Sequence, residues 1–162
     1  MAAIDWALLV LRVGTGLVLL AHGVNHAAGR ERTTAWFGSI GFRSPGLQWL
    51  ASTATELGIG ALLVVGFLTG PAAAGLVAVM AVAFWSVHRR NGFFIFRPGE
   101  GWEYVATLAM IGVALALAGP GKMSVDHNLG IDVRLDGAVG IALVGGGLLL
   151  AAGQMMLFYR PE

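Results

Sequence analysis

The residues best suited to chemistry are titratable side chains that lie inside or at the ends of long apolar runs. His22, Glu56, His88 and Glu103 each stand in such a position. Imidazole and carboxylate groups donate or accept hydrogen bonds, exchange protons and bind metal ions. In lipid an isolated carboxylate is costly unless it is protonated or paired. These four side chains are therefore the first candidates for a functional site.

The composition places the four residues in a membrane protein. Of 162 residues, 57% are hydrophobic and 12% are charged, whereas soluble domains carry about 25% charged residues. So few charges do not cover a soluble surface, and lipid must be the main solvent. The net charge of +1 gives no reason to expect a nucleic acid as partner. The absence of cysteine excludes disulfides and thiolate metal sites.

Five apolar runs predict five transmembrane helices and an all-α integral membrane protein. Each run is near the roughly 20 residues that a helix needs to cross the hydrocarbon core. The first is expected to be retained, because it is too long for a signal peptide and contains Arg12. The predicted spans are residues 4–28, 47–68, 72–88, 102–118 and 137–159.

Basic residues predict the orientation of these spans. If the spans alternate in direction, seven arginines fall on one side of the membrane, and only Lys122 and Arg134 fall on the other. Because cytoplasmic loops carry the excess of Lys and Arg, we expect a cytoplasmic C-terminus and an N-terminus outside. The seven are Arg30, Arg32, Arg43, Arg89, Arg90, Arg97 and Arg160.

The first span carries one polar stripe. With about 100° per residue, Arg12, Thr15, Leu19, His22 and His26 fall within about an 80° arc of the helix. The stripe should face protein, since an arginine at mid-membrane costs at least about 2.5–3.5 kcal/mol. Arg12 lies in the outer half of the span, so snorkelling to the outer surface is the alternative for its side chain.

Chain direction predicts that the titratable residues converge. His22 and His88 lie late in the first and third spans, whereas Glu56 and Glu103 lie early in the second and fourth, so antiparallel helices place all four in the cytoplasmic half. The aromatic loop of residues 91–101 is expected to fold back beneath them. Four interpretations stay open: a structural hydrogen-bond network, a polar site for a quinone, haem or metal ligation by the two histidines, and a proton path or channel.

Short motifs spread along the chain resemble the DoxX family of small bacterial membrane proteins. The resemblance covers roughly residues 8–126 and implies a four-helix membrane bundle within residues 1–136. Residues 137–162 then add a fifth C-terminal transmembrane helix and a short cytoplasmic tail. The motifs are Leu11-Arg12, Ala21-His22-Gly23, the segments 55–60 and 87–94, Trp102-Glu103-Tyr104 and the segment 119–126.

The resemblance also implies a role in redox metabolism. The family shares its name with the DoxD subunit of thiosulfate:quinone oxidoreductase, and some mycobacterial members are associated with a membrane oxidoreductase complex. It therefore implies a bacterial inner-membrane subunit or accessory of a redox complex, with quinone as the first cofactor to consider and haem as the alternative. The candidates for quinone binding are His22, Glu56, His88, Glu103 and Tyr104, and those for a polar network are Arg12, His26 and Asn91.

The first span departs from the usual sequence pattern of the family. Relatives commonly carry a Lys shortly after the His-Gly pair of the first span, where this chain has Val24-Asn25-His26. If that Lys pairs with Glu56, then His26 or Arg12 must substitute for it.

No flavin, nucleotide or iron–sulfur motif is present in the sequence. No residue is assigned a catalytic role, and electrons would have to come from a partner. The alternative is a purely structural subunit that docks onto a larger membrane complex through its glycine-rich fifth helix. The same residues could equally pack that helix on its own bundle. They are Gly140, Gly145, Gly146, Gly147, Gly153 and Gln154.

Overall fold

The structure is a computed structural model that describes residues 2–161, and it is built from helices. Helix α4 continues directly into one π-helical turn, Phe84–His88, and a 3-10 turn, Asp132–Arg134, precedes the last helix. Within the described residues the α-helices are α1 (Ala3–Ala28), α2 (Arg30–Ser39), α3 (Pro45–Val65), α4 (Thr69–Ala83), α5 (Glu103–Ala118), α6 (Val125–Leu129) and α7 (Gly137–Phe158).

Four of the predicted spans are long and apolar enough to cross a membrane: α1, α3, α4 with its π-helical turn, and α7. The remaining predicted span, residues 102–118, corresponds to α5, which is a shorter apolar helix of 16 residues. At 1.5 Å per residue it extends about 24 Å, which is less than the roughly 30 Å of hydrocarbon. The all-helical membrane fold predicted from the apolar runs is confirmed.

The helices form a ring with one helix added outside it. In the ring α1 packs on α3, α3 on α4, α4 on α5 and α5 on α1, while α7 lies against α4 and α5. Helix α4 is therefore the most enclosed, and its Ala73 and Leu76 side chains are fully buried. Small residues on α4 let its neighbours approach closely, as expected where helices pack in lipid. The predicted four-helix bundle with a fifth helix is confirmed.

The ends of the antiparallel helices form two distinct sides. Tyr159, just after α7, donates to the main-chain oxygen of Ser86 at 3.2 Å and pairs with Phe42 in an isolated β-bridge before α3. This places the end of α7, the start of α3 and the end of α4 together. We call it the basic end, because α2 and the loops there carry seven arginines: Arg30, Arg32, Arg43, Arg89, Arg90, Arg97 and Arg160.

Two glycines bring α1 and α3 into main-chain contact. A Cβ built on Gly16 would lie 2.8 Å from the carbonyl oxygen of Gly60, and a Cβ on Gly60 would lie 2.8 Å from the carbonyl oxygen of Gly16. Neither position has room for a side chain without moving a helix. The pair therefore sets the closest approach of α1 and α3.

Arg12 is buried within the protein, so the snorkelling alternative is wrong. Its side chain is 1% exposed. Nη1 donates to the carbonyl oxygens of Leu63 at 2.7 Å and Val64 at 2.8 Å, and Nη2 donates to that of Met123 at 2.7 Å. The first two carbonyls belong to the last turn of α3, where helical partners are missing. Arg12 thus closes the end of α3 and ties it to the loop after α5.

Asp126 is another buried charged residue at this end, and the sequence predicted no role for it. It is 0% exposed. Its carboxylate accepts from the N–H groups of Leu68 at 2.7 Å and Thr69 at 2.8 Å, so it caps the start of α4 and complements the helix dipole. The only hint in the sequence is its position at the end of the last family motif.

The loop that follows Asp126 contains a hydrogen-bonded pair of side chains. Nδ1 of His127 lies 2.6 Å from a carboxylate oxygen of Asp132 in the 3-10 turn. This hydrogen bond holds the pKa of Asp132 below its ordinary value. The pair braces the loop between α6 and α7.

Helix α7 uses part of its glycine ridge for packing within its own bundle. A Cβ at Gly140 would collide with the main chain of Ala116. A Cβ at Gly147 would lie 2.7 Å from the carbonyl oxygen of Ala74. Gln154 donates to Gln48 of α3 at 2.8 Å. Close packing therefore turns these three positions inward, and the positions left open are Gly145, Gly146 and Gly153.

Candidate functional site

At the basic end, α1, α3 and α5 bring polar side chains together. Gly23 lets α1 approach α3, since a Cβ there would lie 2.8 Å from a leucine side chain of α3. His26, almost one turn further along α1, therefore lies opposite Glu56. Tyr104 lies in the first turn of α5, opposite His22. Two polar pairs result.

The buried pair consists of Glu56 and His26. Glu56 is 7% exposed, and its Oε2 lies 3.0 Å from Nδ1 of His26 without the alignment of a hydrogen bond. Ser52 lies between them, with Oγ 3.2 Å from Nδ1 of His26 and 3.3 Å from Oε1 of Glu56. Of the two residues expected to pair with Glu56, His26 lies beside it, and Arg12 lies near the opposite end of the bundle.

The open pair consists of His22 and Tyr104. The Tyr104 hydroxyl lies 3.3 Å from Nε2 of His22, and the two rings are stacked with centroids 6.0 Å apart. His22 is exposed on the surface of α1, and Tyr104 is half-buried. His22 lies within a helix long and apolar enough to cross a membrane, and the pair is open on the outer surface of that helix.

His88, Asn91 and Glu103 stabilise the aromatic loop instead of joining these pairs. Nδ1 of His88 lies 2.8 Å from the carbonyl oxygen of Glu100. The Asn91 amide donates to loop carbonyls, and Glu103 accepts from the N–H of Ile95 at 3.1 Å. Within residues 2–161 their side-chain hydrogen bonds go to the main chain. The four titratable residues that were expected to converge therefore do not form one cluster. The structure joins His22 with Tyr104 and Glu56 with His26. His88 and Glu103 form hydrogen bonds with the aromatic loop.

The aromatic loop folds back only in part. Phe93 packs edge-on against Trp102, with centroids 4.7 Å apart, but Phe96 is 80% exposed. Phe94 and Phe96 stack on each other at the tip. Aromatic side chains in such a position are typical of the membrane–water interface.

The arrangement supports hydrogen bonding and proton exchange. The open pair offers a phenol and an imidazole, and the buried pair adds a carboxylate and a second imidazole. His22 and His26 are four residues apart, so they lie on the same face of α1. Within residues 2–161, no three His, Cys, Asp or Glu side chains are grouped so that they could hold a metal ion.

Comparison with known proteins agrees with the fold. The sequence matches the family DoxX over residues 7–89, just over half of the chain. The matched segment contains Arg12, His22, His26 and Glu56, while Tyr104, Asp126 and α7 lie beyond it. No curated protein and no solved structure was found to match. On this match, and with its bundle of membrane-spanning helices, the chain belongs to the DoxX family.

Proposed function

We propose that the protein is an inner-membrane accessory subunit of a redox complex and that it binds a quinone headgroup between α1 and α5. The observation that carries the proposal is the open His22–Tyr104 pair on the surface of the bundle. Polar groups at such a position are costly in lipid, and for that reason they usually mark a functional site. A quinone is lipid-soluble and has carbonyl oxygens that accept hydrogen bonds, so it suits a polar pair that opens towards acyl chains.

Each residue has a definable part in this site. The Tyr104 hydroxyl and an N–H of His22 would donate to a quinone carbonyl. His22 and His26 lie on the same face of α1, so a proton given up by Tyr104 or His22 would be replaced from His26 and Glu56. Reduction of a quinone to a quinol takes two electrons and two protons. The residues here supply protons only, and the electrons come from a partner subunit.

The site lies at the basic end of the bundle, which bears on orientation. Because Lys and Arg collect in cytoplasmic loops, we place the basic end and the C-terminus in the cytoplasm and the N-terminus outside. Protons for the site would then be drawn from the cytoplasm. The host membrane in this proposal is the inner membrane of a bacterium.

Removing the Tyr104 hydroxyl is expected to weaken quinone binding about tenfold, which corresponds to one lost hydrogen bond of about 1.4 kcal/mol. The measurement is quenching of tryptophan fluorescence by decylubiquinone, with the purified protein in nanodiscs. Tyr104→Phe and Glu56→Gln are the test variants. Tyr159→Phe is the matched control, because it removes the other tyrosine hydroxyl at the same end of the bundle.

The melting temperatures of the same variants separate a binding site from a structural network. For a binding site, Tyr104→Phe loses affinity and keeps its melting temperature. If Tyr104→Phe binds decylubiquinone as tightly as Tyr159→Phe does, the quinone proposal is wrong. If Tyr104→Phe and Glu56→Gln instead melt several degrees lower with unchanged affinity, the polar pairs are a structural network.

A second candidate function, assembly of a larger complex, is favoured by the outer face of α7. Gly145 and Gly146 have open space where a Cβ would be, and the neighbouring Leu149 and Leu150 are 75% and 77% exposed. A second membrane helix can approach closely over such a face.

If α7 docks onto a partner, Gly146→Leu should reduce the recovery of co-purifying membrane subunits at least about fivefold, the loss expected for about 1 kcal/mol of packing. Recovery is measured by quantitative mass spectrometry after gentle solubilisation. Gly14→Leu on α1 is the control, because a Cβ there also meets open space. Equal recovery from both variants would count against docking through α7.

A further inference from the structure

A second polar feature lies at the basic end, outside the proposed quinone site. Where α1 passes into α2, a cleft of about 230 Å³ opens on the protein surface. We infer that this cleft binds the phosphate group of an anionic phospholipid at the membrane interface. Its lining residues are Asn25, His26, Arg32, Thr33 and Trp36.

The chemistry of the lining favours an anion. Each of the five side chains carries at least one group that can donate a hydrogen bond, and none of them is a carboxylate. The nearest acids are Glu31, which is exposed on α2 and does not line the cleft, and Glu56, which lies beyond the His26 ring. A phosphate placed here would therefore lie among five donor-bearing side chains.

Arg32 supplies the positive charge, and Gly29 makes room for it. A Cβ at Gly29 would lie 2.8 Å from Cζ of the Arg32 guanidinium, so a side chain there would push the flexible arginine out of its present place. Nη2 of Arg32 donates to Oδ1 of Asn25 at 3.2 Å. Its other N–H groups make no hydrogen bond within residues 2–161. Such a guanidinium can donate two parallel hydrogen bonds to phosphate.

The level of the cleft in the membrane favours a lipid over free phosphate as its ligand. Thr33 and Phe37 of α2 are buried against the bundle, whereas Trp36 is 40% exposed at the rim. The guanidinium of Arg30 lies 4.8 Å from the centre of the Trp49 ring beside it. Tryptophan and arginine side by side at the end of a transmembrane helix are typical of the headgroup level. A phospholipid in the bilayer holds its phosphate at that level, and its acyl chains lie against the apolar surfaces of the membrane-spanning helices.

The site also touches the buried pair. His26 is 18% exposed, and its Nδ1 faces Ser52 and Glu56. Its other ring nitrogen, Nε2, is therefore the one available to the cleft. When the ring is protonated, His26 donates from both nitrogens and lies between the carboxylate and the phosphate.

The test measures binding of short-chain lipids to the purified full-length protein in neutral detergent, by tryptophan fluorescence and native mass spectrometry. The probes are dioctanoyl phosphatidylglycerol, dioctanoyl phosphatidylcholine and inorganic phosphate. Arg32→Gln should weaken phosphatidylglycerol binding about tenfold. Gly29→Ala, which displaces the guanidinium but keeps its charge, should weaken it several-fold. Arg90→Gln removes an exposed arginine at the same end and should change the affinity less than twofold.

The outcomes are distinct. Equal losses in Arg32→Gln and Arg90→Gln would mean general attraction to positive charge and would overturn the site. Unchanged affinity in Arg32→Gln would also overturn it. If inorganic phosphate binds as tightly as phosphatidylglycerol, the cleft takes a free anion, and the assignment to a lipid is wrong. The cleft shares His26 with the proposed proton supply of the quinone site, but every variant tested here keeps His26 and Tyr104, so these results leave the quinone proposal to its own test.

Discussion

Replacing Arg12 by leucine is expected to lower the free energy of unfolding by about 3–5 kcal/mol, the cost of breaking a buried charged network. The substitution removes three hydrogen bonds to carbonyl oxygens, two of them in the last turn of α3. It also removes the side chain that packs beside Gly66, whose carbonyl oxygen accepts the N–H of Asp126 at 2.9 Å. Both losses occur where no water is available to replace the partner.

The stability of Arg12→Leu is measured by reversible unfolding in mixed micelles, with Arg90→Leu as the control at an exposed position. Asp126→Asn keeps the size of the side chain but weakens the cap on α4. Because the two residues share one network, the double variant should lose clearly less than the sum of the single losses. A loss below about 1 kcal/mol for Arg12→Leu would resemble an exposed ion pair and would contradict the buried assignment.

Adding one methyl group at Gly16 is expected to destabilise the protein by about 1–3 kcal/mol, the usual cost of overpacking. A Cβ there meets the Gly60 carbonyl oxygen at 2.8 Å, and a main-chain atom cannot rotate away as a side chain can. Helices α1 and α3 would have to separate. The separation would also disturb His26 and Glu56, which face each other across the same contact.

Gly14 provides the matched control, two residues earlier on the same helix. A Cβ at Gly14 meets open space, so Gly14→Ala should be neutral or should stabilise α1 by up to about 1 kcal/mol. Thermal unfolding in detergent, followed by circular dichroism, compares the two variants directly. Similar melting temperatures for Gly14→Ala and Gly16→Ala would show that α1 and α3 are not in main-chain contact.

The sequence predicted part of the candidate site, namely the partner of Glu56. His26 was one of two candidates to replace the Lys of relatives, and the structure places it 3.0 Å from Glu56. That choice follows from depth: residues late in α1 and residues in the first half of α3 lie at the same end of antiparallel helices. Arg12 lies 14 positions earlier, about 21 Å away along a helix rising 1.5 Å per residue. Spacing along the chain therefore limits which groups can meet.

Depth alone did not determine the partners of His88 and Glu103. Both lie at the predicted end of the bundle, yet their hydrogen bonds go to the aromatic loop. Whether a side chain points to a neighbouring helix or to a loop depends on the rotation of its helix and on the path of the loop. Neither is encoded in hydropathy or in charge. The same reason explains why Asp126, which lies in a polar loop, had no predicted role.

The sequence by itself determined the class of protein, its helices and their approximate depth, because the cost of exposing polar groups to lipid acts on each segment independently. Only the tertiary structure decided that Arg12 is buried, that Asp126 caps α4 and that the polar residues divide into separate groups. It also decided which glycines of α7 face the bundle. These features depend on how helices rotate and cross, and close main-chain contacts such as Gly16 with Gly60 set that geometry.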